Sequence, residues 1–241
     1  GFESLYYYSR VFKQIEGFGS YGFPESHAAS FALLVYISSW IKCHYPDVFA
    51  AAILNSLPMG FYQPAQLVSD ARNHQIEVRA IDVNHSYWDN MLEEPVGNYR
   101  SIRLGMRQIK GLRIEDAKRL VLKRKEPYKT LTQMLDVGLS ISCLENLADA
   151  DAFRSMGMDR RQALWEVAAL ADRPIALFKG SPSEIQLEKQ VNLPAMPQSE
   201  HVLQDYASTS LSLKAHPLSF LRSKLELLHV KSTKQLDQIP N

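Results

Sequence analysis

The chain has 241 residues, 46% of them apolar and 22% charged, with 27 basic residues against 26 acidic ones. That length suits one or two domains. The composition excludes a wholly disordered chain, a collagen and a coiled-coil rod, and the near-neutral balance excludes a protein-wide field aimed at nucleic acid or membrane. Cys43 and Cys143 form no CxxC pair, which points to reduced thiols in a cytoplasmic protein rather than to a zinc knuckle or disulfide framework. The chain opens Gly1-Phe2-Glu3, with no initiator Met and no signal peptide, and so reads as the interior of a longer protein.

Leu5, Tyr8, Phe12 and Ile15 recur at helical spacing, predicting an amphipathic helix over residues 4 to 18. Gly17, Gly19 and Gly22 end it. Ser26 is then the expected N-cap of a helix reaching Lys42. Its stretch from Ala28 to Ile41 is apolar nearly all round. That is too short for the roughly 20 residues of a membrane span, so no membrane partner is expected and the helix should be buried on several sides. Further helices are predicted from Asp47 to Ser56, after Pro46, and from Pro64 to His74. Glu77 to Val83 reads as a short strand. Tyr99 to Leu104 alternates with period two and should pair with it.

Short helices are predicted from Met106 to Leu170. Residues 172 to 200 hold Pro174, Pro182, Pro194 and Pro197 with no sustained period, the pattern of a linker or extended wrap. Leu203 to Leu228 is helical in pattern around His216-Pro217. The chain is therefore expected to be mainly α with a small β element. Trp40, Trp88 and Trp165 read as core anchors. His44, His74, His85, His201, His216 and His229 show no metal-ligand spacing, and no Walker loop or nucleophile elbow occurs.

The charge is local. Between Arg100 and Lys125 stand ten basic residues against only Glu115 and Asp116. From charge alone this island reads equally as a solvated helix face or as a footprint that neutralises phosphates. It contains Leu104-Gly105-Met106-Arg107-Gln108-Ile109-Lys110-Gly111-Leu112-Arg113 followed by Ile114 to Val121. This resembles a helix-hairpin-helix element, with Ala117 the small residue where the helices meet. Such a turn exposes backbone N–H groups at a helix N-terminus, where donors and dipole together hold a phosphate without reading bases. Arg107, Lys110, Gly111, Leu112, Arg113 and Lys118 are the candidate contacts. Arg113 stands where the usual turn has a second Gly, which alters the turn and adds a cation. Lys123-Arg124-Lys125 reads either as the solvated end of the second helix or as a neighbouring phosphate contact. A weaker copy spans Leu131 to Leu147, with Gly138 and Ser140 at its turn. Its surroundings are acidic, so it is expected mainly to pack against the first copy.

With the hairpins in place, Phe18-Gly19-Ser20-Tyr21-Gly22-Phe23-Pro24-Glu25-Ser26-His27-Ala28-Ala29-Ser30-Phe31 resembles the fingers motif of bacterial C-family DNA polymerases. Its Pro-Glu-Ser-His form is similar to the error-prone branch. The resemblance continues through His44-Tyr45-Pro46, Pro58-Met59-Gly60-Phe61-Tyr62, Asp82-Val83-Asn84, both hairpins, Asp205-Tyr206 and Lys214-Ala215-His216-Pro217. It implies distal fingers over residues 1 to 60, a helix and strand connector over 61 to 98, a tandem helix-hairpin-helix domain over 99 to 171, and a lead-in to an oligonucleotide-binding barrel over 172 to 241. Read this way, the full-length protein is an error-prone DNA-directed DNA polymerase serving translesion synthesis. The Mg2+ ions would be held by palm carboxylates upstream, and this segment alone would be inactive.

The resemblance also implies partners and roles. Primer-template DNA and a deoxynucleoside triphosphate are the expected ligands, with Ser26, His27 and Phe31 bordering the incoming nucleotide. Replicative relatives carry Lys where Glu25 stands and Tyr where Phe31 stands, differences that fit a looser grip on the nascent pair. The stretch Pro174-Ile175-Ala176-Leu177-Phe178 keeps the apolar end of a clamp-binding peptide but lacks its Gln. Sliding-clamp binding should therefore be weak or indirect, with accessory mutagenesis proteins recruiting the enzyme. Against this stand a free-standing, non-enzymatic helix-hairpin-helix module, a base-excision glycosylase, disfavoured because no Gly-Pro-Asp pattern follows the hairpin, and a helical scaffold. None of these explains residues 18 to 34.

Overall fold

The computed structural model describes residues 8–13, 16, 25–171 and 193–236. The chain divides into two compact units, residues 1–45 and 46–241. The clamp-like stretch from Pro174 to Phe178 and the glycine-rich block before Pro24 lie outside the described residues.

In the first unit, residues 8–13 are helical and α1 runs Glu25–His44. It begins one residue before Ser26, which puts that residue inside the first turn rather than at the cap. Contrary to the expected burial, α1 is exposed along most of its length: Phe31, Leu33, Leu34, Val35, Tyr36, Ile37 and Trp40 all face solvent. Burial on several sides needs facing apolar surfaces, and the described residues of this unit supply none for these side chains.

The second unit opens with α2 (Pro46–Asn55) and α3 (Pro64–Asn73), each started by the proline whose missing N–H costs nothing in a first turn. Three strands follow: β1 (Val78–Arg79), β2 (Met91–Val96) and β3 (Tyr99–Arg103), in the order β1-β3-β2. The predicted pairing is present, parallel, with Val78 opposite Ile102. β1 stops at Arg79 rather than Val83 because side chains claim the chain beyond it. Asp82 Oδ1 accepts from the Asn84 amide at 2.8 Å and from Ser155 Oγ at 2.7 Å. Asn84 in turn donates to the Tyr128 carbonyl and accepts from the Tyr128 amide. This joint ties the sheet to the helices beyond. β2, which the sequence reading missed, is an edge strand with a register shift between Leu92 and Pro95. Proline and paired glutamates belong on such an edge and give no alternating signal.

Next come a 3-10 turn (Met106–Gln108), α4 (Ile114–Lys123), α5 (Leu131–Asp136), α6 (Ile141–Asp149), a second 3-10 turn (Arg154–Met156) and α7 (Arg160–Ala171). Beyond the undescribed stretch lie α8 (Gln198–Thr209), a 3-10 turn (Pro217–Leu221), α9 (Arg222–Leu227) and α10 (Thr233–Leu236). The chain is thus mainly α with one small sheet, as expected. Helix starts inside the supposed linker, at Gln198. The core joins α2, α3, the sheet and the hairpins, with Leu54, Met106, Met134, Leu144 and Leu147 fully buried. Leu211, beyond α8, belongs to that core. Of the tryptophans expected inside, only Trp88 packs against the core; Trp40 and Trp165 are about half exposed. On α7 the buried positions are Arg160, Ala163 and Val167, one face of the helix, and the half-exposed Trp165 lies off it.

Candidate nucleic-acid interface

The two hairpins repeat one geometry. Gly111 (φ +77°) precedes α4 by three residues, and Gly138 (φ +90°) precedes α6 by three. A side chain is strained at either φ. The repeats also face one another. A Cβ on Gly111 would lie 3.5 Å from the side chain of Asn146, the sixth residue of α6. One on Gly138 would lie 3.7 Å from Arg119, the sixth residue of α4. Arg119 Nη1 donates to the Gly138 carbonyl at 2.6 Å, which clasps the copies together. Ala117 is buried and shares one core with Leu112, Leu120 and Leu139.

The turns differ chemically. Arg113 occupies the N-cap of α4 with extended backbone and no side-chain cap. Its side chain is 69% exposed, and its Nε donates to the buried carboxylate of Asp116 at 2.9 Å. That hydrogen bond holds the Arg113 pKa above its usual value. Among the described residues, no acceptor meets the backbone N–H groups of Arg113, Ile114 and Glu115, which leaves the start of a ten-residue helix open. At the equivalent place Ser140 caps α6 itself, accepting from the Cys143 amide at 3.2 Å.

The basic island separates into two populations. Arg103 pairs with Glu93 at 2.9 Å and donates to the Ala80 carbonyl. Arg107 pairs with Asp89 at 2.7 Å and donates to the Leu57 carbonyl. Arg124 donates to the carbonyls of Val83 and Ser86 with Tyr87 beneath it. Lys110 Nζ donates to the Tyr206 and Ala207 carbonyls, and its amide donates to Ser208, so it caps the C-terminal end of α8. These cations hold the fold. Lys118, Lys123 and Lys125 are exposed and, among the described residues, form no salt bridge. The charge left for a ligand is therefore smaller than the sequence count suggests. It centres on Arg113 and Lys118 at the first hairpin, with Lys123 and Lys125 at the far end of α4.

In the first unit His27 and Phe31 do share one face of α1, their rings 4.4 Å apart and edge-on at 63°. The side chains of Glu25 and Ser26 lie outside the described residues. Among the described residues no group of three or more His, Cys, Asp or Glu side chains is placed to hold a metal ion, and no helix is long and apolar enough to cross a membrane.

The family model of the helix-hairpin-helix motif matches residues 75–163, which span the sheet and both hairpins. The chain is 51% identical to error-prone DNA polymerase 1 of Rhizobium meliloti over 88% of its length, 54% identical to error-prone DNA polymerase of Brucella abortus over 89%, and 52% identical to that of Mesorhizobium japonicum over 90%. The likeness to error-prone DNA polymerases runs along nearly the whole chain. The chain spans about a fifth of the length of these curated relatives.

Sequence reasoning missed a charge cluster beside the hairpins. Arg160, only 1% exposed, pairs with Asp205. Asp205 also accepts from Ser212 Oγ at 2.7 Å and from Lys214 Nζ at 3.0 Å. Lys214 reaches Asp151 at 3.2 Å, which Arg154 holds in turn. These partners are distant in sequence and carry no local pattern, although the signal for one end was present in Asp205-Tyr206. On α6, Cys143 is buried, and burial, with Asp116 adding to it, pushes its thiol up to about 12. Cys43 is exposed on α1. The native protein at pH 8 should therefore take up one equivalent of maleimide, at Cys43, and a second only on denaturation. Two equivalents in the native state would contradict the burial of Cys143.

Proposed function

We propose that this chain is the hairpin-bearing segment of an error-prone DNA-directed DNA polymerase, and that it grips the DNA backbone without regard to sequence. The observation that carries the grip is the open N-terminus of α4, where the first amides meet no acceptor among the described residues and the exposed Arg113 and Lys118 stand at the N-cap and the fifth helical position. Such a site suits a phosphate oxygen, because the amides point outward and the helix dipole favours negative charge. Gly111 and Leu112 shape the turn. Lys110 and Arg107 act as internal clamps that support it rather than as ligands. Gly138 and Ser140 build the second hairpin, which braces the first through Arg119.

The remaining roles follow from the same reading. Ser26, His27 and Phe31 border the incoming deoxynucleoside triphosphate, and the His27–Phe31 contact orders that face. The Mg2+ ions that align the triphosphate are held by carboxylates elsewhere in the full-length protein, so this segment alone is inactive. Accessory mutagenesis proteins recruit the enzyme in the cytoplasm, with the sliding clamp engaged weakly or indirectly.

Fluorescence anisotropy with a labelled duplex, taken across a salt series, tests the grip. Contact with about three to five phosphates gives a log–log slope near −3 to −4. Arg113→Ala/Lys118→Ala should make that slope shallower by about 2 and weaken binding to unrelated duplexes alike. Curves that coincide with wild type would make the island a solvated face and remove the hairpin from the DNA.

A further inference from the structure

A second polar site lies away from the hairpin turns. One face of α3 and the chain around residues 206–216 enclose an open cleft of about 330 Å3. Ser69, Arg72 and Asn73 line one wall, and Tyr206, Ser212 and His216 the other. The α3 residues belong together because they recur at helical spacing. Arg72 Nη1 donates to the Leu213 carbonyl at 3.0 Å, which fixes the guanidinium across the mouth and leaves most of its donors unused. His216 Nδ1 accepts from the Leu218 amide at 3.2 Å. A neutral imidazole there carries its proton on Nε2 as a further donor. Among the described residues no carboxylate lines the cleft. Asp205, which accepts from Ser212 of the facing wall, is also engaged by Arg160 and Lys214.

We propose that this cleft binds a phosphoryl group, carried either by a free nucleotide or by a nucleic-acid strand. The donor set is what a phosphate needs: a planar guanidinium for two oxygens, an imidazole N–H and flanking hydroxyl and amide groups. The volume admits a phosphate with part of its sugar. The absence of a lining carboxylate removes the repulsion that would defeat an anion. The site shares no ligand residue with the first hairpin turn, so it stands or falls separately from the hairpin grip.

The test follows the Arg72 Nε–Hε resonance in the full 241-residue chain. Inorganic phosphate, dAMP and a short single-stranded oligonucleotide without terminal phosphate are titrated separately at low salt. Ser69→Glu places a carboxylate in the cleft while sparing the Arg72–Leu213 bond, and it should weaken binding at least about tenfold. Saturable shifts with phosphate and dAMP, lost in Ser69→Glu, would support a free-nucleotide site. Shifts with the oligonucleotide alone, lost in the same variant, would support a strand site. In either case the shift should persist in Arg113→Ala/Lys118→Ala, which disables only the hairpin. No shift with any of the three probes, or shifts unaltered by Ser69→Glu, would overturn the proposal.

Discussion

Asp205→Asn is expected to cost about 3–5 kcal/mol of stability, because it removes one partner of a buried ion pair and leaves the other charged. Arg160 is nearly inaccessible, and its Nε already lacks a hydrogen-bond partner. Without the Asp205 carboxylate its guanidinium would be buried with only the His201 carbonyl and ring facing it. Lys214 would keep only Asp151. The pH dependence has a definite sign. Burial alone would raise the Asp205 pKa, but hydrogen bonds from Ser212, Arg160 and Lys214 outweigh it and hold the carboxyl below its usual range. Its contribution is thus complete above the ordinary carboxylate value near 4 and is lost as pH falls through the lower folded value. His201 adds an earlier step. Burial first, then the cations Lys214 and Arg160, depress its pKa, so the fold loses stability as pH drops below about 6.5. Urea denaturation at several pH values would measure both. The gap between wild type and Asp205→Asn should be widest near pH 7 and should close below pH 4. A gap under about 1 kcal/mol at pH 7 would show that Arg160 is not left as an uncompensated buried charge.

Much of this architecture is legible in the sequence, and what is not has a physical reason. The prolines at 46 and 64 mark helix starts, and Gly111 and Gly138 mark turns, because each solves a local backbone problem that only a few residue types solve. The paired strands at residues 78 and 102 show through alternation. β2 does not, because an edge strand carrying Glu93-Glu94-Pro95 has neither a buried face nor a continuous ladder to imprint a period. The exposure of α1 is equally hidden: an apolar helix states that it wants cover, not where that cover comes from.

The candidate interface divides along the same line. Its turns and its helix N-terminus follow from spacing. The roles of individual cations do not, since Arg103, Arg107, Lys110 and Arg124 are spoken for by carbonyls and carboxylates brought in from distant segments. Asp89, Glu93, the α8 carbonyls and the carbonyls of Leu57, Ala80, Val83 and Ser86 reveal which charges are spent on the fold, and those partners lie outside the basic island. A count of charges along the chain therefore overstates what the surface offers to an anionic ligand.

Gly105→Ala should destabilise the protein by about 3 kcal/mol, near the top of the range for overpacking. The backbone there is ordinary, at φ −84° and ψ 156°, so the requirement is space rather than conformation. A Cβ at Gly105 would lie 2.4 Å from both the Asp89 carbonyl carbon and the Trp88 oxygen, atoms of a backbone that cannot swing aside. That backbone is pinned on both sides. Gly105 donates to Asn90 Oδ1 at 2.9 Å, Met106 to Tyr87 and Arg107 to Trp88, while Asn90 is itself locked to Asn55. Displacing this crossing moves Met106 and Ile109, both core residues at the entry to the first hairpin. Gly157→Ala provides the comparison. Its φ of +79° is strained for alanine, but nothing lies within 4 Å of the added carbon, so its cost should stay at about 1–2 kcal/mol. Urea midpoints at constant m-value rank the two. If Gly105→Ala proves no worse than Gly157→Ala, the close crossing of residues 88–89 and 105 is not what holds the first hairpin against the sheet.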